Sequence, residues 1–308
     1  PNLAVEVNDG LGGEGEIERV VGTAFDDVIR GNAFDNALFG GAGDDLLDGK
    51  SGDDLVVGGE GNDDLDGGAG ANDRVRAEGD TDFTLSDSRL TRGDGEEDEL
   101  DDFEFAELFG GVGPNVFDLS GWTGDGLLDG RDDTDPTMPP PERIDTVVAA
   151  VDADFTLTDA SLTISRVAGG TSSFALTGID LAILSGGPGD NAIDASAFTG
   201  SAWLSGGEGD DDLEGGSGSD ILLGGLGADE LTGGPGNDLL VGGGGIDTLV
   251  EDFGALGVGL RIAAEPDGLG AVALNPLPVG EVAYSSDQLA EIENLELTGT
   301  AFNDDIDV

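Results

Sequence analysis

The 308-residue sequence contains no cysteine and no histidine, one methionine, one tyrosine and a single lysine, Lys50. Without cysteine there is no disulfide and no thiol chemistry. Without histidine, the H-E-x-x-H zinc signature, Ser-His-Asp triads and Cys-His dyads are all excluded. Positive charge is almost as scarce: 11 basic residues face 67 acidic ones, for a net charge of −56. Such a chain repels nucleic acid and anionic membrane, and its compact state repels itself. No apolar run reaches the ~18 residues of a membrane-spanning helix. Helical periodicity is missing as well, because Gly and Asp recur too often.

What is present is glycine, 57 residues of it, and aspartate at a fixed phase. Residues 40–66 read GGAGDDLLD, GKSGDDLVV, GGEGNDDLD. Each nine-residue unit has glycine first and fourth, Asp sixth (Asp45, Asp54, Asp63) and an aliphatic eighth (Leu47, Val56, Leu65). General acidity of a salt-adapted or disordered chain has no such phase, so the placement points to specific cation sites, whatever a saline background adds.

The unit recurs along the chain. Residues 22–75 hold six in unbroken phase, starting at Gly22, Gly31, Gly40, Gly49, Gly58 and Gly67. Phe25 and Phe34 replace the fourth glycine of the first two, which puts the geometry of those turns in question. The last unit is slipped by one at Ala71, so Asp73 and Val75 are expected to take the roles of Asn72 and Arg74. Residues 206–250 hold five more, with Asp211, Asp220, Asp229, Asp238 and Asp247 sixth and Leu213, Leu222, Leu231, Leu240 and Leu249 eighth.

Between the runs lies a duplication. Asp73–Arg76 and Asp82–Leu85 recur 72 residues later as Asp145–Val148 and Asp154–Leu157. GGVGPNVFD (110–118) matches GGPGDNAID (186–194), and Trp122-Thr123-Gly124 matches Phe198-Thr199-Gly200. The organisation is thus opening strands in 1–21, a first repeat run in 22–75 and a β linker in 76–109. A degenerate run with the Pro139–Pro141 loop fills 110–145, and a duplicate linker fills 146–185. A second run occupies 186–250, another linker 251–298, and GTAFNDDID begins a further run in 299–308. The linkers are expected to continue the strand stack, because Phe83, Leu85, Phe155 and Leu157 alternate as strand residues do. A chain that opens at Pro1 and ends one unit into a new run is expected to be a segment of a longer protein.

The period has a physical reading. The glycines permit tight turns with carbonyls aimed inward. The last three residues make one short strand with only the eighth facing the core. Two units then form one coil, and units two apart stack at the ~4.8 Å strand spacing. Asp45 falls beside Asp27 and Asp63, and Asn36 beside Asp54. Stacked carboxylates repel unless a hard cation with oxygen ligands sits among them. Calcium, with 6–8 oxygen ligands, fits better than magnesium, which demands a rigid octahedron. Zinc and copper lack their preferred ligands.

These units resemble the hemolysin-type calcium-binding (RTX) repeat of secreted toxins, metalloproteases, lipases, epimerases and adhesins; about 126 of the 308 residues lie in such nonapeptides. The resemblance implies an all-β fold, a right-handed parallel β-roll or β-solenoid with calcium ions stacked in the turns, and type I secretion with folding after exit. It carries the side-chain ligand role to Asp27, Asp45, Asp54, Asp63, Asp211, Asp220, Asp229, Asp238, Asp247 and Asp304. Asp73 joins them through the slip, and Asn36, Asn115 and Asn191 as weaker amide ligands. Turn carbonyls are expected from Gly40, Gly41, Gly43, Gly58, Gly59, Gly61, Gly206, Gly207, Gly209, Gly215, Gly216, Gly218, Gly224, Gly225, Gly227, Gly233, Gly234 and Gly236. On the order of ten ions would cancel about 20 charges, so binding and folding would be one event.

Other features read as ordinary structure. Trp203 is expected in a strand core, and Trp122, in a glycine-rich turn, is the better candidate of the two for an exposed contact. Residues 93–102 (GDGEEDELDD) read as a solvated loop, with an extra loose calcium site as the alternative. A glycosidase needs two carboxylates at a set separation, but in so acidic a chain any such pair carries no information. The function expected is a non-enzymatic calcium-dependent structural segment of an extracellular protein, with no nucleic-acid partner and no membrane insertion. The alternative is an adhesin, surface-layer or filament component that self-associates. An accessory region of a polysaccharide-modifying enzyme is a third.

Overall fold

The computed structural model describes residues 2, 4–6, 18–131, 144–252, 261–263, 288–290, 294–298 and 305–307. Among them the regular elements are all strands. They group into two compact units: residues 1–148 with 172–178, and residues 149–171 with 179–308. The expected Pro139–Pro141 loop and Asp304 lie outside the described residues, as do most of 1–17 and 253–304.

In the first unit, alternate nonapeptides feed alternate sheets. Strand Val28–Arg30 pairs in parallel with Leu46–Asp48, which pairs with Asp64–Asp66. The intervening units give Asn36–Ala42, Leu55–Glu60 and Arg74–Glu78, also parallel. Partners Ile29, Leu47 and Leu65 follow one another at 18-residue steps, as two nonapeptides per coil require. These eighth-position side chains, with Leu38 and Val56, are at most 1% exposed, because in a three-residue strand only the middle one faces inward. At the slip, Val75 pairs with Val56 and is buried, so the core keeps its phase through the extra residue.

The linker continues these sheets by a different route. Strands Phe83–Ser86, Arg89–Arg92 and Glu97–Asp101 form an antiparallel meander. Its ends join parallel neighbours: Glu97–Asp101 lies on Asp64–Asp66, and Phe83–Ser86 beside Val116–Gly121. Phe83 and Phe117 stack across that pairing with ring centroids 5.7 Å apart. The expected solvated loop at 93–102 is therefore corrected. Half of it is a strand, and Asp98 and Leu100 point into the interior. Among so many acidic residues a single Leu100 concealed the two-residue alternation, and the inward Asp98 is tolerated because it meets Arg92.

In the second unit, Leu181–Gly187, Ser201–Glu208, Ile221–Leu226 and Leu239–Gly244 form one parallel series. Ala192–Ala197, Asp212–Glu214, Glu230–Thr232 and Thr248–Asp252 form another. The hairpin of Ala153–Thr158 and Ser161–Arg166 repeats that of Phe83–Ser86 and Arg89–Arg92, and it too lies parallel to the next nonapeptide strand.

The duplication persists down to single hydrogen bonds. The Val116 N–H donates to Asp82 Oδ1 and the Ala192 N–H to Asp154 Oδ1, both at 2.9 Å. The Thr123 N–H donates to Asp87 Oδ1 and the Thr199 N–H to Asp159 Oδ1, both at 2.7 Å.

The expectation for Trp203 is reversed, and Trp122 is not the more exposed of the two tryptophans. Trp122 is 1% exposed, and its indole N–H donates to the Asp125 carbonyl at 3.1 Å; its counterpart Phe198 is equally buried. The glycine-rich turn thus folds its aromatic inward. Trp203 is 46% exposed, because Ala202 and Leu204 take the inward phase of the same strand.

Candidate metal centre

The turn ahead of each short strand positions its sixth residue. Gly41 and Gly43 adopt φ of +122° and +112°, and Gly59 and Gly61 both +122°, in the left-handed region that side chains resist. A methyl group built on Gly49 would meet Asp54 Oδ2 and the Gly67 carbonyl oxygen, each at 2.5 Å. The first glycine is thus required because the carboxylate of its own unit and a carbonyl from two units onward close over its Cα.

The sixth residues then stack. The Asp27 N–H donates to Asp45 Oδ1 at 2.7 Å, the Asp45 N–H to Asp63 Oδ1 at 2.9 Å and the Asn36 N–H to Asp54 Oδ1 at 2.7 Å. In the second unit Asn191, Asp211 and Asp229 donate in turn to Asp211, Asp229 and Asp247, and Asp220 donates to Asp238. All of these residues are buried. One oxygen of each accepting carboxylate thus has a structural role, holding the turn two units back.

The second oxygen differs from rung to rung. Oδ2 of Asp45, Asp54, Asp63, Asp211 and Asp229 is buried and accepts no hydrogen bond. In Asp27 and Asp220 the same oxygen accepts the N–H of Thr23 (2.5 Å) or Gly216 (2.8 Å). The amides of Asn36 and Asn115 likewise accept from Asn32 (2.8 Å) and Gly111 (2.7 Å). An orphaned buried carboxylate oxygen is costly. Burial first, and then neighbouring carboxylates, push Asp54 and Asp63 up to about 7 and Asp73 and Asp211 to about 6. Asp45, Asp220 and Asp229 rise by burial too.

Among the described residues no three acidic side chains converge on one point. A cation here would therefore take one or two carboxylate oxygens and complete its shell with carbonyls. The turns supply them: the carbonyl oxygens of Gly40, Gly58 and Gly233 lie against the first glycine of the unit two back. Gly41, Gly59, Gly207, Gly209, Gly225, Gly227 and Gly234 carry positive φ, whereas Gly216, Gly218 and Gly236 do not, so the turns are not all alike. The donor set is entirely oxygen, which fits a hard cation such as calcium. The orphaned oxygens are where this chain's residues would meet it.

Asp73 replaces Asn72 on the ladder: it is fully buried, and the Asp54 N–H donates to its Oδ1 at 2.7 Å. Three further acidic residues extend the ladders. Asp98 accepts the Asp63 N–H (3.1 Å), Glu104 the Asp73 N–H (2.9 Å) and Asp145 the Asn115 N–H (2.8 Å). Asp145 was findable as the duplicate of Asp73. Asp98 and Glu104 sit outside any nonapeptide, so the period did not mark them. A second, outer ladder at the fifth position also went unread in the sequence. The Asn62 N–H donates to Asp44 Oδ1 (3.0 Å) and the Asp53 N–H to Asp35 Oδ1 (2.9 Å), on exposed edges.

Comparison with known proteins bears on the repeat directly. The family model for the RTX calcium-binding nonapeptide repeat (4 copies) matches residues 21–56, 39–73, 48–83, 196–231 and 214–249. Both runs are thus RTX repeats, which are calcium-binding structural repeats, and the parallel two-sheet architecture is the β-roll they form. No curated protein sequence matches the chain. Among solved structures, the crystal structure of the extracellular lipase LipA from Serratia marcescens is similar at 19% identity, over 94% of this chain and 40% of the lipase, with a TM-score of 0.18. The chain spans 40% of that lipase's length.

Proposed function

We propose that this chain of hemolysin-type RTX repeats is a calcium-dependent structural segment of a secreted bacterial protein, which folds when it meets extracellular calcium. The observation that carries this reading is the row of buried, unpartnered Oδ2 atoms on Asp45, Asp54, Asp63, Asp211 and Asp229. Without a cation, each rung places desolvated negative charge beside like charge. Calcium supplies the missing partner, and on the order of ten ions would lower the −56 charge by about 20. Extracellular modules bind calcium at about 10⁻⁴–10⁻³ M, so the chain stays unfolded inside a cell and orders outside. The ligands are the sixth-position residues with the turn carbonyls; no residue here is assigned a catalytic role.

Circular dichroism with calcium titration tests this. Little β signal in chelator and a cooperative gain near millimolar calcium are expected. An ordered, unchanged spectrum in chelator would overturn the reading.

One observation favours a second role, in which the array itself assembles. In the second unit, Trp203, Ile221 and Leu239 pair along an outer face, and Ser205, Leu223 and Val241 pair beside them. Trp203 and Leu223 are exposed there. Sedimentation of Trp203→Glu against the unaltered chain in calcium distinguishes the roles: polymers lost in the variant support assembly, and monomers in both exclude it.

A further inference from the structure

On one edge of the first unit the ladder climbs from Asp27 to Asp45 to Asp63 and then, 35 residues on, to Asp98. Asp45 and Asp63 leave Oδ2 without a partner. Asp98 does not. Arg92 Nη2 donates to Asp98 Oδ2 at 2.6 Å, and Nη1 lies 3.5 Å from Oδ1 and 3.3 Å from Glu96 Oε2. Arg92 is 7% exposed and Asp98 fully buried. A guanidinium is permanently charged and presents its donors in a fixed fork that matches a carboxylate. Here it occupies the oxygen that the rungs below leave open.

Packing does not require an arginine at this place. In the first hairpin Arg92 pairs with Phe83; in the duplicate hairpin the residue paired with Phe155 is Ile164. The same module accepts an aliphatic side chain at that position. The other edge of this run ends differently again, at the exposed Glu104, where water can reach the charge.

We propose that Arg92 is a built-in cation that takes the place of a calcium ion on the last rung of the Asp27–Asp98 edge. Metal loading on that edge then stops at Asp63, and the meander of residues 83–101 closes the run without an ion of its own. The inference rests on the calcium reading above.

The test follows backbone amide exchange in the full chain across a calcium titration, with the second run as internal control. In Arg92→Met, the amides of Asp45 and Asp63 are expected to gain protection only at about tenfold or more higher calcium, since one buried charge is left alone. The amides of Asp211 and Asp229 are expected to be unchanged. In Arg92→Met with Asp98→Asn, where neither charge remains, the midpoint of the first run is expected to return within about twofold of the unaltered chain. A single variant that never orders beside an ordered double variant supports the proposal equally. A single variant with an unshifted midpoint overturns it, as does a double variant that stays shifted or never orders, because the arginine would then serve packing alone. Absence of calcium-dependent protection in either run of the unaltered chain would instead overturn the calcium reading itself.

Discussion

Asp45 Oδ1 accepts the Asp27 N–H at 2.7 Å, while Asp45 Oδ2, on the same carboxylate, is buried with no partner. One oxygen holds the neighbouring turn and the other carries a charge that the fold leaves unmatched. The two roles separate by mutation. Asp45→Asn keeps an acceptor and removes the charge. It is expected to weaken calcium binding in the first run and to ease folding in chelator. Asp45→Ala also strands the Asp27 N–H, at a cost of about 1–3 kcal/mol. Calcium titrations of both variants by calorimetry and circular dichroism check the order: apo order greatest in Asn, calcium-bound stability least in Ala.

Acid is expected to imitate calcium in part. Burial raises Asp54 and Asp63 from 3.8 to about 7 in the fold. A carboxylic acid with a raised folded pKa contributes its full stability below the unfolded value, and that contribution is lost as pH rises from about 4 to 7. The calcium-free chain should therefore gain β structure as pH falls from 7 to 5, and calcium affinity should fall over the same window because protons compete. Far-ultraviolet circular dichroism of exhaustively demetallated protein reads the first effect; a flat profile would contradict it.

Gly59 holds φ of +122°, and a Cβ there would press on the Gly41 carbonyl group, whose carbon would lie 2.8 Å away. Gly59→Ala combines a left-handed backbone with overpacking against main chain, and a loss on the order of 3 kcal/mol is expected. Thermal unfolding at saturating calcium measures it. Gly95, also at positive φ but with open space around its Cα, should lose less on the same change.

The two tryptophans should behave oppositely. Trp122→Ala empties a buried site and breaks the indole bond to Asp125, at a cost of about 3–5 kcal/mol. Trp203→Ser on the outer face should change monomer stability by about 0.5 kcal/mol or less. Acrylamide quenching in the two single-tryptophan variants gives an independent reading: Trp203 emission is quenched freely and Trp122 emission weakly.

Core and ladder of the repeat runs were legible because both follow from a strict period. Ile29, Leu47 and Leu65 had to share a line, and so did Asp27, Asp45 and Asp63, once two units made one coil. Even the slip at Asp73 showed, because the sequence around it names both the displaced ladder residue and the displaced core residue. Trp203 and residues 93–102 were misread where the period lapses. There, inward and outward phases depend on which strand is met next, and an acidic composition masks the alternation.

From the order of its residues alone, this chain determined that it would coil in steps of two nonapeptides, bury the eighth residue and line up the sixth. Glycine spacing and alternation act locally, and repetition turns a local rule into a global one. Tertiary structure alone decided which of those carboxylates keep a free oxygen and which find a backbone N–H. It also decided that Asp98, reached across a 35-residue excursion, ends one ladder beside Arg92. Those outcomes depend on close approach in space between segments whose separation follows no period.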